Sequence, residues 1–155
     1  MPIRNSWLAC AVCVAAFGAE NPVVWTAVAP AKSAAAGSTI RVKLTAEIQP
    51  GWHLYSLDQP PGGPNATEIW IGDGQPFEAA GEVKAPKPHV IFDPNFSMQV
   101  GLYTGRTEFE VPVKIAAGTS AGRHPLAIDA RYQSCSDRLC LPPRTITAQA
   151  EVEVK

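Results

Sequence analysis

Two cysteines near the end of the chain are the residues whose type and spacing most directly suggest chemistry. Cys135 and Cys140 are separated by the four residues Ser136-Asp137-Arg138-Leu139. Four intervening residues can bring the two Cα atoms close to the roughly 4.4–6.8 Å that is usual for a disulfide. Such a pair can exchange its bond with the thiols of another protein, because a thiolate attacks a disulfide through a mixed intermediate.

A purely structural disulfide is the alternative interpretation of this pair. The stabilisation that a cross-link gives by restricting the unfolded chain grows with loop length, so a loop this short contributes least. The two cysteines would also join neighbouring strands that a hairpin already holds together. These arguments favour a redox pair, and from the residues alone the structural bond stays open.

Other chemistries find less support in the sequence. The spacing does not match a Cys-x-x-Cys redox helix or a haem attachment motif, and no histidine follows the second cysteine. His53, His89 and His124 are scattered, and none lies at ligand spacing from the cysteines. We therefore expect no metal site and no cofactor other than the disulfide. The formal net charge of −1 and the lack of a basic patch argue against a nucleic-acid partner.

The elements that would position the pair read as strands. The chain contains 15 prolines and 12 glycines among 155 residues, a composition that favours strands and turns over helices. Apolar and polar residues alternate with period two, which buries one face of a strand. The clearest segments are 39–48, 109–115, 126–132 and 146–154, with shorter or weaker strands at 23–25, 52–57, 67–71 and 82–84.

Seven or so short strands separated by turns are typical of a β-sandwich. We predict an all-β, immunoglobulin-like sandwich with the cysteine pair on a hairpin. One strand would lead into the pair at Tyr132, and the next would leave after Pro143. Residues 89–105 hold aromatic side chains among turn formers, and no strand is assigned there.

The first residues have the pattern of an export signal. Arg4 precedes an uncharged apolar run, Trp7 to Phe17, that is too short to span a bilayer, and small residues follow it. We predict a signal peptide at 1–19, a lead-in segment at 20–37 and one domain at 38–155. Export would place the cysteines where a disulfide persists. No later apolar run reaches transmembrane length, so the mature chain is expected not to span a membrane.

Three segments resemble the N-terminal periplasmic domain of DsbD, the bacterial thiol:disulfide interchange protein. The most specific is Tyr132-Gln133-x-Cys135-x-Asp137-x-x-Cys140-x-Pro142-Pro143. The others are Gly51-Trp52-His53-Leu54-Tyr55 and Val111-Pro112-Val113, in the same order as in that family. The similarity covers roughly Ser38 to Val154.

The resemblance implies a function as well as an immunoglobulin-like fold. The cysteine pair would accept electrons from a membrane-embedded thiol reductase in the periplasm. It would then reduce periplasmic oxidoreductases of the thioredoxin fold, which makes the chain part of a protein-disulfide reductase system. The alternative is a secreted β-sandwich binding module with an inert disulfide.

The resemblance also implies roles for individual residues. Cys140 would be the nucleophile that attacks a partner's disulfide, and Cys135 the resolving thiol. A cap loop at Asp93-Pro94-Asn95-Phe96 would shield the pair, with Phe96 as the shield and Tyr55 nearby. Tyr132 and Asp137 belong to the matched cysteine motif. On physical grounds Arg138 would favour a thiolate and Asp137 would oppose it.

Overall fold

The computed structural model describes residues 21–155, and the signal peptide predicted at 1–19 lies outside them. The described residues form strands and no helices, which confirms the all-β prediction. Accordingly, this part of the chain contains no helix with the length and hydropathy needed to cross a membrane. The strands are β1 (Val23–Val28), β2 (Thr39–Ile48), β3 (Trp52–Tyr55), β4 (Glu68–Ile71), β5 (Phe77–Ala79), β6 (His89–Asp93), β7 (Met98–Tyr103), β8 (Arg106–Ile115), β9 (Gly122–Tyr132), β10 (Ser134–Ser136) and β11 (Arg144–Val154).

The strands form an immunoglobulin-like sandwich of antiparallel sheets. One sheet has the order β1-β2-β8-β5, a second has β11-β9-β4, and a third has β10-β3-β7-β6. The main core lies between them and receives side chains from all three sheets. The third sheet is the one that holds the cysteines.

The long strands follow the alternation in the sequence. In β2, Val42 and Leu44 are fully buried, whereas Arg41 and Lys43 between them are exposed. β8 pairs with β2 over nine residues, from Thr39 opposite Lys114 to Glu47 opposite Arg106, and so buries the same face. β9 and β11 pair along their whole length. The predicted strands at these four positions are confirmed.

The segment expected as a lead-in carries the first strand of the sandwich. The strand foreseen at Val23–Trp25 extends to Val28 and pairs with β2 at the edge of its sheet. Val23 is fully buried, and Trp25 stacks on Phe109 with ring centroids 5.7 Å apart. The full length of this strand could not be recognised in the sequence, because small and polar residues surround it. A six-residue edge strand needs apolar contacts on one face only.

The region 89–105, where the sequence assigns no strand, contains two strands. It forms the hairpin β6–β7, in which Asp93 lies opposite Met98 at the turn. Val90, Ile91 and Phe92 follow one another without alternation, because β6 is an edge strand with both faces partly exposed. Gly101 interrupts the apolar pattern of β7. These two features removed the period-two signal by which the strands could be recognised.

Candidate functional site

The cysteine pair lies on a small hairpin at the edge of the third sheet. β9 and β11 end their pairing at Tyr132 and Arg144, and the residues between them leave that sheet. β10 then pairs with β3, so that Cys135 lies opposite His53. Cys135 and Cys140 form an antiparallel bridge and a disulfide, with their Cα atoms 4.0 Å apart. The predicted disulfide hairpin is confirmed, and it belongs to a different sheet from the strands that flank it.

Local hydrogen bonds fix the shape of this hairpin. The Ser136 amide donates to the Leu139 carbonyl at 2.8 Å, and the Leu141 amide donates to the Ser134 carbonyl at 2.9 Å. The Ser136 hydroxyl also accepts from the Leu139 amide at 3.3 Å, which closes the turn. A serine is suited to this position because its hydroxyl can replace a backbone acceptor in a tight turn.

The two sulfur-bearing residues have different environments. Cys135 is 1% exposed, whereas Cys140 is exposed on the outer side of the hairpin. Leu139, next to Cys140, is 51% exposed although it is a large apolar residue. Cys140 is therefore the more accessible of the two residues, and Cys135 lies on the buried side of the hairpin.

Alternation along the strands gives the third sheet two different faces. Leu54 and Tyr103 lie opposite each other and point into the main core, a side we call the core face. Cys135, Tyr55 and Val100 form a separate buried cluster on the opposite side, which we call the site face. The disulfide therefore packs outside the main core although it is buried on one side.

A loop covers the site face. Phe96 and Met98, at the turn between β6 and β7, pack against the cluster of Cys135, Tyr55 and Val100. The Phe96 ring contacts Tyr55 edge to face, with centroids 6.2 Å apart, and Phe96 itself is only partly buried. Ser97 next to it has a φ of 53°, a left-handed conformation that residues other than glycine seldom adopt. The loop thus packs against the cluster that contains the buried cysteine.

Asp93 holds the base of this loop. Its side chain is 5% exposed and accepts a hydrogen bond of 3.0 Å from the Tyr55 hydroxyl. Its other oxygen accepts from the Asn95 amide at 2.8 Å. Burial, together with the hydrogen bond and charge of Asp93, raises the pKa of Tyr55 well above its ordinary value. Tyr55 therefore stays protonated and remains a donor at any working pH.

His53 lies beside the disulfide on β3. It is half-buried, and its ring contacts Tyr55 edge to face at 5.3 Å. Burial lowers its pKa from 6.5, and the carboxylates of Asp93 and Asp137 oppose that shift. His53 thus differs in environment from the other two histidines. His89 is exposed, and His124 interacts with the Ser120 carbonyl at 2.8 Å.

The other residues singled out from the motif lie in different places. Asp137 and Arg138 are exposed in the turn of the hairpin. Asp137 also lines a depression of ≈ 260 Å³ together with Trp52 and His53. Tyr132 is part of the main core, contacts Trp25 at 5.4 Å and donates to Asn21 at 3.2 Å. The structure therefore brings Phe96, Asp93, Tyr55 and Asp137 around the cysteines and puts Tyr132 in the core.

Sequence reasoning missed three residues of this region: His53, Met98 and Val100. His53 could have been found, because it lies two residues before Tyr55 on a strand and so shares its face. Met98 and Val100 gave no such signal, since β7 was not recognised. Within residues 21–155 no three His, Cys, Asp or Glu side chains lie close enough together to hold a metal ion.

Known proteins resemble this chain in sequence pattern and fold. The model of the family "Thiol:disulfide interchange protein DsbD, N-terminal" matches residues 23–151. The Neisseria meningitidis DsbD N-terminal domain in the reduced form superposes with a TM-score of 0.50 at 16% identity, over 72% of this chain and 77% of that one.

The N-terminal periplasmic domain of ScsB from Proteus mirabilis is also similar in fold. Its TM-score is 0.51 at 18% identity, over 82% of this chain and 44% of that one. The chain thus spans less than half the length of the ScsB structure. No curated protein sequence is significantly similar to the chain.

Proposed function

The chain belongs to the family of DsbD N-terminal thiol:disulfide interchange domains, and from this premise we propose that it carries electrons in the periplasm through reversible opening of the Cys135–Cys140 disulfide. Its electron donor would be a membrane-embedded thiol reductase. Its acceptors would be periplasmic oxidoreductases of the thioredoxin fold. It would act as the carrier component of a protein-disulfide reductase.

The unequal exposure of the two cysteines is the observation that carries this proposal. An inert disulfide gains nothing from an exposed sulfur, whereas an exchanging pair needs one sulfur that a partner can reach. Cys140 is exposed beside the apolar side chain of Leu139, and Cys135 is 1% exposed. The arrangement supports Cys140 as the nucleophile and Cys135 as the resolving thiol.

The exchange that we propose has two steps. In the reduced protein the Cys140 thiolate attacks the partner's disulfide, forming a mixed disulfide and releasing one partner cysteine as a thiolate. Cys135 then attacks the sulfur of Cys140, so that the Cys135–Cys140 bond forms and the second partner cysteine leaves. Two electrons and two protons pass to the partner. The membrane reductase would reopen the bond by the same steps in reverse.

The lid would protect the pair between encounters. This lid is the turn that carries Phe96: the ring contacts Tyr55 and packs against the cluster that includes Cys135, and Asp93 ties the base of the turn to the same tyrosine. A partially buried aromatic contact of this kind contributes about 0.5–1.5 kcal/mol. That is enough to keep the lid mostly closed and little enough for a docking partner to displace it. The lid would thereby limit attack by small oxidants and thiols from the Cys135 side of the bond.

A trapping experiment tests the proposal. Cys135→Ser leaves the exposed nucleophile without its resolving thiol, so we expect mixed disulfides to accumulate with thioredoxin-fold proteins in a periplasmic extract. Non-reducing gels and mass spectrometry of the adducts would identify Cys140 as the linked residue. Cys140→Ser, which keeps only the buried thiol among residues 21–155, is the matched control and should give few adducts from this part of the chain. A folded Cys135→Ser protein that forms no adduct would contradict the proposal.

The reduction potential separates the carrier from a binding module with an inert disulfide. Structural disulfides in secreted proteins have potentials below about −300 mV. We expect the Cys135–Cys140 pair, equilibrated in defined thiol buffers, to lie well above that value. A potential below it, together with slow exchange, would favour the structural bond.

A further inference from the structure

His53 is the residue near the disulfide whose hydrogen-bonding capacity is unused. Its Nε2 atom is buried and has no hydrogen-bond partner among residues 21–155. The ring lies on β3 opposite Cys135, and the Cβ atoms of directly opposed residues are about 4.5–5.5 Å apart. A buried polar atom without a partner costs stability, so its retention calls for an explanation.

Burial keeps His53 available as a proton acceptor in spite of two nearby carboxylates. Tyr55, on the same strand, remains protonated and is committed to Asp93 at the end of β6. Asp137, in the turn of the cysteine hairpin, and Asp93 both favour the protonated imidazole, but burial outweighs them and lowers the pKa. The ring is therefore neutral near pH 7.

The resolving step needs a proton acceptor at this place. Cys135 packs against Val100 and Tyr55, and in apolar surroundings a free thiol stays in its unreactive protonated form. Exposed Cys140 can lose its proton to water, whereas Cys135 cannot. The second step of exchange would be slow unless a neighbouring group removed that proton.

We propose that His53 is that group: its Nε2 accepts the proton of the Cys135 thiol as Cys135 attacks the mixed disulfide. The Cys135 thiolate forms the bond to Cys140, and the bond between Cys140 and the partner sulfur breaks. The partner cysteine leaves as a thiolate, and the imidazolium returns its proton to that thiolate or to water. This inference rests on the proposed exchange function and assigns a proton path within it.

The two release steps of an aromatic disulfide probe, 5,5′-dithiobis(2-nitrobenzoate), separate attack from resolution. Attack by Cys140 on the probe releases one coloured thiolate at a rate proportional to probe concentration. Attack by Cys135 on the adduct releases the second at a rate independent of it. For His53→Gln we expect the second phase to slow at least about tenfold near pH 7, the scale of general base catalysis being about 10²–10⁴. The first phase should stay within about twofold.

The pH profile gives a readout that loss of packing would not produce. In the wild type the second phase should level off once His53 is neutral, whereas in His53→Gln it should keep rising with pH as hydroxide takes over. His124→Gln, whose histidine contacts Ser120, is the matched control and should behave as the wild type. His53→Ala should recover part of the second phase when free imidazole is added.

The outcomes distinguish the two proposals. A wild-type protein that releases one thiolate and keeps the adduct would overturn the exchange function itself. A wild type with both phases, and a folded His53→Gln variant with the same second-phase rate and pH profile, would overturn the role of His53 alone. The role of His53 would also be overturned if imidazole did not rescue His53→Ala and the second phase of His53→Gln had the pH profile of the wild type.

Discussion

The two faces of the sheet β10-β3-β7-β6 differ in what they bury. The core face buries apolar groups such as Leu54, which is fully enclosed, and joins the other sheets. The site face buries a cysteine, a tyrosine hydroxyl and a carboxylate, and only a loop covers it. The same short strands therefore supply both stability and chemistry. We expect mutations on the core face to change only the free energy of unfolding, whereas mutations on the site face should change exchange, with or without a change in stability.

Leu54→Ala should give the largest effect and should act on stability alone. Removing a fully buried leucine side chain costs about 2–5 kcal/mol, because it loses contacts and leaves a cavity. Chemical denaturation would measure this loss, and exchange by the folded fraction should stay within about twofold of the wild type. Val90→Ala, at a site 62% exposed on the same sheet, should change stability by less than about 0.5 kcal/mol. A large fall in exchange with Leu54→Ala would mean that the faces are not independent.

Tyr55→Phe should affect both properties, since it removes the donor to a buried carboxylate. A hydrogen bond to a charged group is worth about 1.5–3 kcal/mol, so stability should fall by about that amount. The lid should also loosen, because Asp93 loses its tie to β3, and reduction by dithiothreitol should become faster. Tyr132→Phe removes a hydroxyl bonded to the neutral Asn21 side chain in the main core. Tyr132→Phe should leave the rate of reduction unchanged. If it accelerated reduction as much as Tyr55→Phe, the Tyr55–Asp93 bond would not be what holds the lid.

Phe96→Ala should change exchange more than stability. If the edge-to-face contact with Tyr55 keeps the lid closed, losing about 0.5–1.5 kcal/mol raises the open fraction about two- to tenfold. Reduction of the disulfide by a small thiol should accelerate by that factor. Phe92→Ala lies on the same hairpin, where the side chain is 59% exposed, and provides the control. Equal rates for Phe96→Ala and the wild type would show that the loop does not shield the pair.

The smallest expected effect is a dependence of stability on pH that involves His53. Because burial lowers its pKa below the ordinary 6.5, the unfolded chain binds more protons than the folded chain between those two values. The stability that His53 contributes is fully present above pH 6.5 and is lost as the pH falls toward and through its lowered pKa. Between about pH 8 and about pH 5 the wild type should therefore lose more Tm than His53→Gln, by less than about 4 °C. An equal loss in both would mean that His53 titrates alike in both states.

The main core could be predicted from the sequence better than the site could. β2, β8, β9 and β11 each bury one whole face, so their period-two pattern is long and unambiguous. β10 has three residues and β3 has four, too few for periodicity to register. The disulfide itself could be predicted from the spacing of Cys135 and Cys140, because four intervening residues allow the two cysteines to meet. Which cysteine is exposed depends on pairing of β10 with a distant strand, and the sequence near the cysteines does not encode that.

Strand β3 places its odd-numbered residues on the site face and Leu54 on the core face. Its four residues therefore contribute alternately to the two faces. A substitution changes the face on which that residue lies and leaves the other face unchanged. Loss or gain of a single residue would shift the register by one. Leu54 would then point to the site face, and His53 or Tyr55 would point into the main core. Descendants of this chain can therefore diversify by substitution at the site, whereas any change of length within the strand would destroy the fold and the chemistry together.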